Sequence, residues 1–118
     1  MKTFSVALPI EGEYLTTIRL TTGGLCALAG FDVDTAEDYK VCVTESLLIL
    51  KRNGFSHAEL VFTVGETLGC KVTGKQACTP SEDKTENEIS RALLGALLGD
   101  VDFTTDENGT VLAIAFEG

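Results

Sequence analysis

KVCVTESLLILKRNG, residues 40–54, decides the fold. Around Glu45, the residues Val41, Cys42, Leu48 and Ile49 stand at i−4, i−3, i+3 and i+4. Positions three and four apart share one face of a helix, so the stretch predicts a helix running to Asn53 and stopped by Gly54. Its one central carboxylate is set into a seam of hydrocarbon and thiol, with no cation at helical reach. Such a group belongs at the rim of the core or in a pocket.

Immediately upstream, Asp34, Thr35, Ala36 and Glu37 read as a capping box, with Asp34 as N-cap and Glu37 reaching back. A preceding helix is expected from about Glu11 to Ala29, with Leu15, Ile18, Thr22, Leu25 and Ala29 on its buried stripe and Gly30 as its stop. Gly23 and Gly24 each weaken that helix by roughly 1 kcal/mol relative to alanine, which implies close packing or a kink. Before it, Phe4, Val6 and Leu8 alternate as the inner face of a strand closed by Pro9 and Gly12.

Downstream, HAELVFTV and LGCKVTGKQA read as a hairpin around Gly65-Glu66-Thr67. CTPSEDKTE is polar and contains Pro80, so it reads as a loop, with Glu82 to Glu86 solvated. A third helix is expected from Asn87 to Leu98, where Ile89, Ala92, Leu93, Ala96 and Leu97 recur at helical spacing and Gly99 ends the run. DVDFTT and TVLAIAF form the last two strands, around Asp106-Glu107-Asn108-Gly109. This order predicts an α+β two-layer sandwich: a mixed, mostly antiparallel sheet with three helices on one face. Residues 1–118 carry no internal repeat and no linker, and are expected to form a single domain.

The composition fits such a fold, with 44% hydrophobic and 23% charged residues and two prolines in 118. A formal net charge of −9 provides no cationic field to gather phosphates, so nucleic acid is not an expected partner and a basic protein is. Cys26, Cys42, Cys70 and Cys78 have no CxxC spacing, and the single His57, read as exposed at a strand start, lies far from them. They read as reduced structural thiols rather than metal ligands. The alternating N-terminus reads as a strand and not a signal peptide, and no apolar run reaches eighteen residues. No membrane association and a cytoplasmic location are the expectations. GKQACT lacks the spacing of a phosphate-binding loop.

EYLTTIRLTTGGLCALAGFDVDTAEDYKVCVTES resembles the opening of the anti-sigma-factor serine kinases, the switch-protein kinases of the histidine-kinase-like (GHKL) ATPase superfamily. The similarity rests on Ile18-Arg19-Leu20-Thr21, on Gly30-Phe31, and on Glu37 to Val41 continuing through Val43 to Glu45. LLGALLGDVDFTTDENGTVLAIAF resembles that family's last helix and hairpin. The resemblance is strong over residues 11–46 and looser elsewhere.

It implies a nucleotide site of which several parts have changed. Glu45 matches the family's general base, which activates a substrate serine. Ile49 stands where an asparagine holds magnesium, and hydrocarbon cannot ligate a hard cation. The first glycine box, Asp-x-Gly-x-Gly, falls on Gly74-Lys75-Gln76-Ala77-Cys78, with glycine at the adenine-reading aspartate and Gln76 two places on. The second, Gly-x-Gly-Leu, falls on Glu88-Ile89-Ser90-Arg91, with side chains where bare N–H groups would meet phosphate. The loop before it is shorter than the usual ATP lid. The family's ATP and magnesium are therefore expected to have lost their ligands, leaving Glu45 as a relic base.

The implied function is an anti-sigma-factor-like regulator that binds a protein partner, a sigma factor or an anti-anti-sigma factor, in a partner-switching pathway. The alternatives are an active serine/threonine kinase phosphorylating an anti-anti-sigma factor, or a structural dimerisation subunit. The first helix is the implied partner surface, with Thr16, Arg19 and Gly23 its candidate residues and homodimerisation a further role. Arg19 read alone is an ordinary solvated cation.

Overall fold

The computed structural model describes residues 2–77, 84–98 and 100–118, without the side chains of 84–88 and 98. Eight elements follow one another: β1 (Lys2–Pro9), α1 (Gly12–Leu28), α2 (Val33–Arg52), β2 (Phe55–Val64), β3 (Leu68–Ala77), α3 (Lys84–Leu98), β4 (Val101–Thr105) and β5 (Val111–Glu117). The strands form one sheet in the order β1-β2-β3-β5-β4. All four pairings are antiparallel, which narrows the mixed sheet expected from the sequence. The result is an α+β two-layer fold.

Register explains how the alternation in each strand becomes one apolar face. Phe4 pairs with Phe62, Phe62 with Cys70, Cys70 with Phe116, and Phe116 with Val101, a row crossing the whole sheet. Val6, Leu60, Val72, Ile114 and Phe103 form the next row. Helix α2 lies on β2, β3 and β5, flanked by α1 and α3. Its Tyr39, Cys42, Val43, Leu47, Ile49 and Leu50 are sealed from solvent.

α1 buries Ile18, Thr22, Leu25 and Cys26, as its periodicity implies. Thr22 is a wholly buried hydroxyl satisfied by donating to the Ile18 carbonyl at 2.7 Å. Gly30 and Gly54, with φ of 79° and 99°, take the left-handed conformation that lets the chain turn out of α1 and α2. At Gly23 the close packing is with a side chain: a Cβ there would stand 2.8 Å from Lys40 Cε. Around Gly24 there is open space.

Two boundaries differ from the sequence reading. The N-cap of α2 is Asp32, not Asp34: its Oδ1 accepts from the Thr35 N–H at 2.7 Å. A cap oxygen reaches the N–H three residues on, and the Phe31 N–H bond to the Cys26 carbonyl fixes where the chain re-enters helix. Asp34 lies in the first turn, and Glu37 pairs with Lys40 at 2.9 Å instead of reaching back. α3 begins at Lys84, three residues before the expected Asn87, because a polar first turn adds no apolar periodicity to the sequence. Of the expected loop, residues 78–83 lie outside the described residues.

The thiols of Cys26, Cys42 and Cys70 are free and buried, as expected of structural cysteines, while Cys78 lies outside the described residues. Burial raises the pKa of all three, Cys42 to about 12 with the carboxylates of Asp38 and Glu45 adding to the effect. They remain protonated near neutrality and pack as small apolar groups. Among the described residues no helix is long and apolar enough to cross a membrane.

Asp32→Ala is expected to lower the urea midpoint of unfolding, and Asp34→Ala to change it much less. The hydrogen bonds from Thr35 hold the Asp32 carboxyl below its usual pKa. Its contribution is thus present above the unfolded-state pKa and lost as pH falls through the lower folded-state value. Wild type and Asp32→Ala should converge in stability at low pH. Equal midpoints at pH 7 would remove Asp32 as the cap.

Candidate functional site at the α2–α3 seam

The carboxylate that opened the sequence reading finds its partner on another helix. Ser90 of α3 donates its hydroxyl to Glu45 Oε2 at 2.6 Å and accepts from Arg52 Nη1 at 3.0 Å. Glu45 and Arg52 are seven residues apart, so two helical turns place them on one stripe of α2. Ser90 is only 2% exposed, whereas Glu45 is half-buried. The bond at 2.6 Å has the length of a charge-assisted O–H···O⁻ contact. It links a cation and an anion of one helix through a hydroxyl of its neighbour.

Hydrocarbon lies one turn beyond the bridge on each helix. Ile49, one turn beyond Glu45, and Leu94, one turn beyond Ser90, both have no exposed surface. Ile49 is a core residue, so the position assigned to a magnesium ligand offers no oxygen and no access. Glu45 and Ser90, read from the sequence as separate remnants, are in direct contact.

At Gly74 the strand is covered by an aromatic ring. A Cβ on Gly74 would lie 2.4 Å from Cδ2 of the Phe55 ring, so the ring occupies the space an aspartate there would need. Only glycine accommodates that ring against the strand. Two residues on, Gln76 takes φ 53°, a left-handed conformation that glycine adopts freely and glutamine at some cost. Its carbonyl accepts from Ser56 Oγ at 2.9 Å. The side chain of Glu88 lies outside the described residues.

The α1 candidates stand apart from this seam. Thr16 and Arg19 are exposed, and Gly23 is half-buried over the Lys40 stem. Arg19 is more constrained than a solvated cation: its Nε donates to Thr44 Oγ1 at 2.9 Å, and Thr44 in turn donates to the Lys40 carbonyl. Arg52, Phe55 and Thr44 were not singled out by the sequence reading. The i+7 spacing of Glu45 and Arg52 was a usable signal for the first, whereas nothing local announced the others.

No protein-family model matches the chain. Comparison with known proteins gives serine-protein kinase RsbW of Bacillus mycoides (strain KBAB4), 26% identical over an alignment of 126 positions that covers 89% of this chain and 79% of that protein. The proteins of the same name from Bacillus cereus (strain AH187) and Bacillus anthracis are 25% identical with the same coverage. The chain is a distant relative of serine-protein kinases. This bears out the resemblance read from α1 and α2, and the two-layer fold agrees with it.

Ser90→Ala is expected to lower the free energy of unfolding by about 1.5–3 kcal/mol, the range for a hydrogen bond to a charged group. In a double-mutant cycle with Glu45→Ala, the two losses should be non-additive by at least about 0.5 kcal/mol. Additive losses in urea titrations would mean that the contact contributes nothing of its own.

Proposed function

We propose that the protein is an anti-sigma-factor-like regulator, one domain that works by binding a protein partner and has lost its nucleotide site. The observation that carries this reading is the Ser90–Glu45 hydrogen bond, since the hydroxyl of the chain's own α3 engages the residue matching the family's base. The sealed Ile49 and the Phe55 ring against Gly74 support it from two other sides. These residues do not fit magnesium-ATP: the metal position is hydrocarbon, and a side chain at the adenine position would collide with an aromatic ring.

The same reading places the partner on α1. Leu20 and Leu28 expose 76% and 75% of their surface on a helix that also carries Thr16, Arg19 and Gly23. Holding Arg19 at Nε leaves the rest of its fork pre-organised for a carboxylate or a carbonyl, which lowers the entropy lost on docking. The net charge of −9 favours a partner with a basic surface. A sigma factor or an anti-anti-sigma factor is the class proposed, with homodimerisation through α1 as a second use and the cytoplasm as the place of action.

The name of the relatives favours a second reading, an active serine kinase in which Glu45 serves as base. That chemistry requires α3 to release Glu45 and a metal-nucleotide to be held by residues other than Ile49 and Gly74. Nucleotide titration separates the two.

Calorimetry with magnesium-ATP and magnesium-ADP is expected to give no saturable binding at micromolar concentration, and saturable binding would favour the kinase. Ile49→Asn should not restore binding, and should destabilise the fold by about 1–3 kcal/mol through a buried amide without a partner.

Arg19→Glu is expected to weaken capture of the partner by about thirtyfold, equivalent to about 2 kcal/mol at an interface centre. It should lower fold stability by only about 1 kcal/mol or less. Pull-down and sedimentation velocity beside thermal melting read the two effects. Unchanged association would remove α1 from the interface.

A further inference from the structure

On the face of the sheet turned away from the helices, a groove of about 580 Å³ is lined by Ala7, Pro9, His57, Glu59, Lys75 and Gln76. Strand register gathers its polar groups. His57 is directly opposite Lys75, and Glu59 lies two residues along from His57 on the same face. Glu59 and Lys75 are therefore diagonal neighbours across the β2–β3 ladder. Their charges are not spent on each other: the ion pair within 4 Å among the described residues is Lys40–Glu37.

His57 is tethered in one orientation. Ser56 Oγ donates its single proton to the Gln76 carbonyl at 2.9 Å, so toward His57 Nδ1, 2.8 Å away, it acts as acceptor. The proton of the neutral ring thus sits on Nδ1, which leaves Nε2 a bare acceptor. The tether closes on Gln76, a residue with left-handed backbone that also lines the groove. Backbone conformations that cost energy collect at binding sites, where the surrounding structure maintains them.

One cation, one anion and the tethered imidazole of His57 thus share a groove with apolar surface from Ala7 and Pro9. Its volume falls in the range of small-molecule sites. We propose that the groove binds a small zwitterion of the α-amino-acid class, its carboxylate on Lys75, its ammonium on Glu59 with His57 Nε2 as a further acceptor, and an apolar side chain against Ala7 and Pro9. Glu59 and Lys75 reach the groove from diagonal positions of one ladder, so a single small ligand lying between them can meet both charges. A simple anion would leave Glu59 beside it as a like charge, and a simple cation would meet Lys75.

The test is an amide NMR titration of the full chain with L-leucine, N-acetyl-L-leucine and L-leucinamide. L-leucine is expected to give saturable millimolar shifts centred on His57, Glu59 and Lys75. The derivatives, each lacking one charge, should bind at least about tenfold more weakly, as should L-leucine to Lys75→Met and to Glu59→Gln. Both variants alter exposed side chains and should keep the wild-type spectrum elsewhere. Ring-nitrogen shifts should place the His57 proton on Nδ1. Absence of saturable shifts, equal binding of either derivative, unchanged affinity in both variants, or a proton on Nε2 would each overturn the proposal.

Discussion

A helix packed on a sheet and flanked by two others has little room for a charge, and α2 carries Glu45 on the side that α3 covers. The carboxylate needs a donor that reaches it without opening the seam. Ser90 supplies that donor from α3, and Arg52 holds the other side of the hydroxyl. α3 is thereby attached to α2 by a directional contact as well as by Leu94, which fixes its rotation and not merely its proximity.

Two further packing features accompany that attachment. Ile49 is part of the core, and Gly74 lies against the Phe55 ring. At both positions the space next to the backbone is taken by the protein's own side chains. Chemistry and scaffold are separable in general, so the sheet rows and helix stripes that hold this fold together do not by themselves specify an activity.

Elsewhere the interior is satisfied locally. The Tyr39 hydroxyl donates to the Leu68 carbonyl at 2.8 Å, and its ring meets Phe31 and Phe116 edge-on at 5.6 and 5.3 Å. Burial keeps that phenol protonated, with the three thiols nearby. α2 therefore has an aromatic anchor near its start and a polar clasp near its end.

The order of elements, the hairpin around residues 65–67 and the apolar stripes of α1 and α2 were legible in the sequence, because local periodicity and turn chemistry follow from neighbours along the chain. So was the oddity of Glu45, since a carboxylate among i±3 and i±4 apolar residues is visible without coordinates. The cap at Asp32 was misplaced by two residues, since Asp32 and Asp34 both offer a carboxylate and only the path of the α1–α2 turn chooses between them. The first turn of α3 was hidden by its polar composition. Tertiary structure alone decided that Ser90 answers Glu45 across 45 residues, that Phe55 excludes a side chain at Gly74, and that His57, Glu59 and Lys75 share one groove. Each depends on register or helix rotation, which are set when separate segments pack and leave no mark in the local pattern of either one.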